Sequence, residues 1–474
     1  MIRTRFAPSP TGYMHIGNLR TALYEYLCAK REGGQFVLRI EDTDQERYTE
    51  GAVEVIYNTL RIAGLVHDEG PDIGGPYAPY VQSERKGHYL EYAKQLVEQG
   101  TAYYCFCAKE RLDELHKENE TAKYDRHCLS LSAEDIARNL ERGVPYVIRQ
   151  LIPNGKTTFV DAVYGEITVD NDELDDQVLI KSDGLPTYNF ANVIDDKLME
   201  ITHVVRGSEY LSSTPKYNLL YKSFGWEIPK YIHLPLILNE KGEKLSKRRG
   251  DASFEDLLAQ GFLPDAIINY IALLGWAPPA DNREIFSLSE LIGVFDVSGI
   301  SKSPSKFDTQ KLTWLNGEYF KKMDEDEFRK LAAPYIQKDN PKLYSMVKSR
   351  ISFLTEITEK LDFIDNFNLP DTALYTHKKM KTTPEIALNA LEAAEAARDR
   401  FTDFTNDKLY ETLTNIAAEN ELKNSQILWS IRTALSGKPV TPCGASELME
   451  VLGKDESFDR LGKAIGKLRQ EAAK

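Results

Sequence analysis

The chain of 474 residues is poor in cysteine, in net positive charge and in long apolar runs. Its five cysteines, Cys28, Cys105, Cys107, Cys128 and Cys443, are odd in number and scattered, which argues against a disulfide framework. The longest apolar window, AIINYIALLGW, is about half the ~20 residues that span a bilayer, and the opening MIRTRFAPSP has no apolar stretch of signal-peptide length. A cytoplasmic protein with no membrane partner is the expectation. A formal net charge of −14 argues against a protein that coats nucleic acid non-specifically. Phosphates respond to local patches, however, and KGEKLSKRRG (241–250) sets five cations against one acid. Internal repeats and low-complexity tracts are also missing, and the length implies two to four domains.

What is present falls into two halves. IRTRFA (2–7) reads as a short strand entering a Pro-Ser-Pro-Thr-Gly turn. Leu19, Ala22, Leu23, Tyr26 and Leu27 then recur with the period of an amphipathic helix. Gly33-Gly34 stops that helix, and QFVLRIED reads as a buried strand ending in acids. Strand, helix and strand in under 45 residues predict a right-handed βαβ unit. Ligands of such sheets bind outside the carboxyl ends of the strands, where Ser9, His15 and Glu41 fall. Around 100–185 the runs shorten about a charged helix (109–123), the pattern of an insertion and not of a continuing sheet. ITHVVRGSEYL and YIHLPLIL restore strands, with a helix over 213–223 between them. From about 325, EDEFRKLAAPYI, SRISFLTEITEKLDFI, TPEIALNALEAAEAARDRF and SFDRLGKAIGKLRQEAA carry helical periodicity. The plan is an α/β front with an insertion, then an all-α rear.

GYMHIGNLRTALY puts His15 and Asn18 where strand gives way to helix. The N–H groups and dipole of a helix start favour phosphate; the two side chains either add donors to phosphate oxygens or simply cap the helix. In EKLSKRRG, Lys244 and Lys247 stand three apart with Ser246 between them. Two such lysines can neutralise charge spreading over a transferring phosphoryl group, whereas a lone charge run is more often a solvated loop. Together, in this order, the motifs point to a nucleotide-phosphate site.

The pair resembles the two signature motifs of class I aminoacyl-tRNA synthetases, HIGN and KLSKR being variants of them; Asn18 stands where the first motif usually ends in histidine. RFAPSPTGYMHIGNLRTALY, FVLRIEDTDQERY, GPYAPYVQSER, GLPTYNFANVIDD, RGSEYLSSTPKYNLLY, HLPLILNEKGEKLSKRRG and KFDTQKLTWLNGEYF resemble the bacterial glutamyl-tRNA synthetase family. ILWSIRTALSGKPVTPCGASELMEVLG resembles that family's helical anticodon-binding end, so the resemblance covers essentially the whole chain. It implies a Rossmann-type parallel-sheet catalytic domain (1–100 and 186–240) interrupted by an α+β acceptor-binding domain (101–185). A stem-contact domain with the KLSKR loop (241–322) and an all-α anticodon-binding region (323–474) would follow. The implied reaction activates L-glutamate with ATP and Mg²⁺ to glutamyl-adenylate and pyrophosphate. Transfer to the terminal adenosine of tRNA(Glu) follows, tRNA(Gln) being left open as a second acceptor, and the implied enzyme is a monomer.

The residue chemistry suits glutamate. Arg5 and Arg206 offer forked donors for carboxylates, Glu41 can receive the α-ammonium, Tyr188 and Asn192 are four apart on a helical face, and Ser9 adds a hydroxyl. The resemblance implies that these residues and Ala7 form the glutamate pocket. It implies also that His15, Gly17, Asn18, Glu209, Lys244, Ser246 and Lys247 bind ATP, with Glu209 at the ribose. His15, Asn18, Lys244 and Lys247 would then serve the pyrophosphate-releasing transition state. Arg206 is expected to set specificity, because glutamine would leave a buried cation unpaired.

YYCFCAKE and KYDRHCLS suggest a structural zinc site. Cys105 and Cys107 face one side of a strand, and His127 and Cys128 follow twenty residues later. His127 adjoins Cys128, so both reaching one ion costs strain; Tyr124, four before Cys128, shares a face with it on a helical turn. The favoured set is Cys105, Cys107, Tyr124 and Cys128, against three reduced cysteines without metal. In the rear, Arg350 and Arg432 are candidate anticodon contacts or structural arginines. A small-molecule nucleotidyltransferase is the rival reading, but it has no use for the chain beyond residue 250. A tRNA-modifying glutamyl transferase, a second rival, lacks an anticodon-binding end, and a tRNA-binding module without activity would not need His15, Lys244 and Lys247.

Overall fold

The structure, a computed structural model, describes every residue except 13, 44–48, 119–122, 246–252, 279–281, 338–339 and 474. The chain forms two compact units, residues 1–258 with 264–309, and residues 259–263 with 310–474.

In the first unit, β1 (Arg3–Phe6) and β2 (Gln35–Leu38) pair in parallel, Arg3 opposite Gln35 through Phe6 opposite Leu38. Helix α1 (Ile16–Arg31) connects them, as the spacing predicts, with Leu19, Ala22, Leu23 and Leu27 wholly buried on one face. Lys30 and Arg31 in its last turn complement the helix dipole. Gly33 ends the helix in the left-handed region at φ 61°, and Gly34 brings the chain against the start of β1. The amide of Gln35 donates to the Ile2 carbonyl at 2.9 Å. Cys28, on the same helix, is a buried core side chain.

β3 (Ala102–Cys105), β4 (Val147–Gln150) and β7 (Val178–Ile180) make a three-stranded antiparallel sheet. β5 (Lys156–Asp161) and β6 (Gly165–Asp170) form a hairpin. β8 (His203–Gly207) and β9 (Lys230–Leu234) run parallel, and β5 joins β9 where Asp161 faces Tyr231, giving the order β6-β5-β9-β8. This corrects the reading of 100–185 as standing apart from the sheet. KTTFVD alternates strictly between exposed and buried, and its inner face packs on β9, with Phe159 edge-on to Tyr231 at 6.1 Å. β10 (Ile237–Leu238) and β11 (Ser305–Lys306) form a short parallel pair.

The second unit is helical, its core built by Leu391, Leu413, Ile431 and Leu461 from the helices Pro384–Ala396, Asn406–Glu419, Asn424–Ser436 and Lys454–Ala472. One periodic segment departs from expectation: within SRISFLTEITEKLDFI, helix begins only at Glu356. The preceding residues bond elsewhere, the Leu354 amide to the Gly261 carbonyl at 3.1 Å and the Thr355 hydroxyl to Gln260 at 2.8 Å. No described helix is long and apolar enough to cross a membrane.

The tight approach at Gly34 generates a prediction. A Cβ there would lie 2.1 Å from the Ile2 carbonyl oxygen, a backbone atom that cannot swing away. Gly34→Ala is expected to destabilise the first unit by about 1–3 kcal/mol, read as a lower denaturant midpoint.

Candidate active site

Helix α1 is capped by His15, whose Nδ1 accepts from the amides of Gly17 at 3.0 Å and Asn18 at 3.3 Å. An accepting Nδ1 places the ring proton on Nε2, so the neutral ring keeps one N–H donor turned away from the helix. Burial, reinforced by Lys244, holds the His15 pKa below the usual histidine value and preserves that form. A Cβ at Gly17 would lie 2.8 Å from the imidazole, so only glycine lets the ring sit flat over the helix start. Cap and donor, alternatives in the sequence, are thus two nitrogens of one ring. The Asn18 side chain is exposed beside it.

Lys244 is delivered by a tight turn after β10. Asn239 Oδ1 accepts from the amides of Lys241 and Glu243, both at 3.0 Å, and Gly242 takes φ 82°. The Lys244 ammonium then meets Glu209 at 3.0 Å, both side chains being exposed. Ser246 and Lys247 lie outside the described residues.

His15, Gly17, Asn18, Glu209 and Lys244 line one pocket of about 260 Å³, together with Arg5, Ala7, Ser9, Tyr188 and Arg206. The guanidinium of Arg206, half-buried, lies over the Tyr217 ring at 4.5 Å and donates to Thr214 at 2.8 Å. Glu41 and Asn192 are not in the pocket wall. Asn192 spends its carbonyl on Arg39 at 2.9 Å and its amide on the Tyr188 carbonyl at 3.0 Å and Glu41 at 3.4 Å. In this arrangement it braces Arg39, Glu41 and Tyr188 from beneath the pocket.

Beneath the pocket lies a buried ionic cluster. Arg39, fully buried, pairs with Glu41 at 2.9 Å and Asp196 at 2.8 Å. Arg5 meets Asp196 at 2.9 Å and Glu25 at 3.3 Å. Two cations face three carboxylates. Burial pushes Glu41 up to about 7 against the pull of Arg39 and Arg5, and pushes Glu25 well above the carboxylate range. Burial acts on Asp196 as well, but Arg5 and Arg39 outweigh it and keep its pKa low. Glu25 reaches the pocket wall, and its Oε2 is buried with no hydrogen-bond partner. Sequence reasoning missed it; the signal was a carboxylate flanked by Tyr24 and Tyr26 in α1.

Away from the pocket, the sulfurs of Cys105, Cys107 and Cys128 lie within 4.8 Å of one another. The Tyr124 hydroxyl is 3.3 Å from both Cys105 and Cys107. Tyr124 does not reach the cluster along a helical turn: Arg126 takes φ 57° and the single turn begins at His127. His127 is exposed and outside the group. In the second unit, Arg350 is exposed and 3.6 Å from Glu447. Arg432 stacks on Trp429 at 4.2 Å and donates to the Pro439 carbonyl at 3.0 Å.

Comparison with known proteins places this geometry. Residues 1–314 match the family described as tRNA synthetases class I (E and Q), catalytic domain, and residues 312–465 match the anticodon binding domain. The chain is 58% identical to a glutamate–tRNA ligase of Clostridium novyi, covering 99% of this chain and 98% of that one. It is 57% identical to the glutamate–tRNA ligase of Clostridium tetani, at 99% and 98% coverage. Among solved structures it resembles a glutamate tRNA ligase from Elizabethkingia meningosepticum in complex with its amino acid. The TM-score there is 0.88 at 38% identity, covering 98% of this chain and 99% of that one.

The ionic cluster predicts unequal costs for its members. Arg39→Leu strands buried Glu41 and leaves Asp196 with Arg5 alone, and is expected to cost about 3–5 kcal/mol. Glu25→Gln replaces a carboxyl that burial already holds protonated with a neutral group of the same shape and is expected to cost less than about 1 kcal/mol. Equal losses in urea unfolding would show that Glu25 is instead ionised and paired in the fold.

Proposed function

Because the chain belongs to the glutamate–tRNA ligase family of class I tRNA synthetases, we propose that its pocket holds ATP and glutamate side by side. The supporting observation is convergence: the His15 donor, the Lys244–Glu209 pair and the two arginines Arg5 and Arg206 all face one cavity. ATP, used with Mg²⁺ throughout this class, lies over the start of α1. The His15 Nε2–H and Asn18 donate to its phosphates, and Gly17 lets them approach. Nucleotide binding parts Lys244 from Glu209, freeing the lysine for phosphate and the carboxylate for the ribose. Lys247 and Ser246 complete the phosphate clamp.

Glutamate enters with its γ-carboxylate on Arg206 and its α-ammonium toward the carboxyl groups of Glu41 and, at the wall, Glu25. Arg5, Ala7, Ser9 and Tyr188 shape the remaining surface, with Asn192 bracing Tyr188 and Glu41 from beneath it. The α-carboxylate is already ionised at neutral pH and attacks the α-phosphorus directly; pyrophosphate leaves from the cationic side. No residue has to transfer a proton in this step, so positioning and charge stabilisation carry the rate. The tRNA's terminal adenosine then accepts the glutamyl group. Residues 101–185 and 241–322 take the acceptor stem and residues 323–474 the anticodon, with Arg350 and Arg432 as candidate base contacts and tRNA(Gln) as a second acceptor. The protein acts as a monomer in the cytoplasm.

Three thiols and a phenol converging on one point fit a tetrahedral zinc ion, with Cys105, Cys107, Cys128 and Tyr124 as ligands. The Phe106 amide, which donates to Cys128 Sγ at 3.3 Å, and Arg149, 4.1 Å over the Tyr124 ring, would stabilise the anionic ligands. Such an ion would tie β3 to the segment 124–128 and play no part in the chemistry.

Three measurements test these assignments. With ATP and labelled glutamate, label is expected on purified tRNA(Glu). Label on tRNA(Gln) too makes the enzyme non-discriminating, and label on neither overturns the assignment of the pocket. His15→Asn keeps a cap acceptor but loses the Nε2 donor, so the melting temperature should hold while charging slows about 10²–10³-fold. Elemental analysis should find about one zinc per chain, lost in Cys107→Ser; metal-free wild-type protein refutes the zinc site.

A further inference from the structure

Arg206 and His233 stand opposite each other in the parallel register of β8 and β9, and Asp161 ends the neighbouring strand β5. We propose that Asp161 and His233 form a positioning dyad that fixes the histidine tautomer and thereby aims Arg206 at the substrate's γ-carboxylate. This rests on the assignment of Arg206 made above.

His233 is fully buried and Asp161 nearly so. The Asp161 carboxylate accepts four N–H donors: Oδ1 from the amides of Val163 at 2.9 Å and Tyr164 at 2.8 Å, Oδ2 from the His233 amide at 3.1 Å and its Nδ1 at 2.7 Å. Burial would raise its pKa, but these donors prevail and keep it ionised. An ionised carboxylate only accepts, so Nδ1 carries the ring proton and Nε2 is left with its lone pair. That lone pair faces Arg206 Nε at 3.2 Å.

Thr214 completes the cradle. Its hydroxyl hydrogen goes to the Tyr210 carbonyl at 2.9 Å, so its oxygen accepts from Arg206 Nη2 at 2.8 Å. The guanidinium is thus gripped along one edge by two neutral acceptors and set among the rings of Tyr210, Tyr217 and Tyr231. Nη1 has no hydrogen-bond partner among the described residues and is left for a ligand. A carboxylate in place of His233 would orient Arg206 equally well but neutralise the cation that must recognise glutamate. The other histidine tautomer would point its N–H at the Arg206 Nε–H, leaving it only the Thr214 oxygen at 3.3 Å, which Arg206 already engages. A neutral acceptor of fixed tautomer orients the charge without quenching it.

The test begins with Asp161→Asn, whose amide N–H faces Nδ1 and drives the ring proton to Nε2. The KM for glutamate is expected to rise about tenfold or more and the preference for glutamate over glutamine to fall, with the KM for ATP unchanged. His233→Gln, able to donate to Asp161 and accept from Arg206, should retain more of that preference than His233→Leu. Ring ¹⁵N shifts of the wild-type protein should show His233 protonated at Nδ1, the opposite of His15. Protonation at Nε2 overturns the proposal whether or not the variants fold. Arg206→Leu separates the two readings. If it leaves glutamate KM and selectivity intact, the Arg206 assignment fails. If it abolishes them while Asp161→Asn does not, the dyad alone fails.

Discussion

The ion pairs that Arg39 makes with Glu41 and Asp196, out of reach of water, determine how the first unit is assembled. Arg5 stands on β1, Glu25 on α1, and Arg39 and Glu41 just past β2, while Asp196 and Asn192 come from the helix Tyr188–Leu198 far along the chain. An isolated buried ion costs several kcal/mol or more, a penalty offset only when every partner is in place. The βαβ unit and the later helix therefore cannot form this floor separately. The same requirement makes the floor rigid, because each group's orientation is committed to its neighbours. A pocket built on it inherits fixed walls, which is what a reaction driven by positioning needs.

The cluster also sets the polarity of the cavity. On the floor side, carboxylates outnumber cations; on the side of β8, a cation is held by neutral acceptors and aromatic faces. A ligand with an ammonium at one end and a carboxylate at the other is matched by that gradient, and reversing the ligand sets like charge against like. Recognition on this reading depends as much on where charge is left uncompensated as on which residues touch the ligand. It also explains why Asn192 is useful without lining the pocket: it occupies donors of Arg39 that would otherwise seek other partners.

Much of this was legible in the sequence wherever the signal was local. The βαβ unit followed from apolar spacing and a glycine stop, and the helical rear from its 3.6-residue period. The likeness to glutamyl-tRNA synthetases rested on contiguous motifs and agrees with the family found. Signals that depend on the third dimension were lost. The hairpin β5–β6 looked like part of an insertion because its partner β9 lies about seventy residues on. The turn before Glu356 looked helical because its hydrogen bonds go to residues 260 and 261. Glu25 was hidden for a different reason: it lies off the apolar stripe of its helix, where a carboxylate is expected to be solvated, and only the buried arginine beside it shows why it is held inside. Tyr124 was matched to Cys128 by helical spacing, whereas the left-handed residue Arg126 is what turns the two together.

Histidine is commonly chosen for moving protons near neutral pH, yet His15 in the pocket wall and His233 behind Arg206 are built to keep theirs. Backbone amides hold the lone pair of His15 on Nδ1 and leave an N–H donor outward; a carboxylate holds the proton of His233 on Nδ1 and leaves an acceptor outward. Burial lowers the pKa of each and keeps the neutral form. The two rings are fixed dipoles of opposite sense, one suited to an anionic phosphate and the other to a cationic guanidinium. That arrangement fits the chemistry. A substrate carboxylate that is already ionised needs no base, so a titrating histidine would add only pH sensitivity, while a non-titrating one adds geometry.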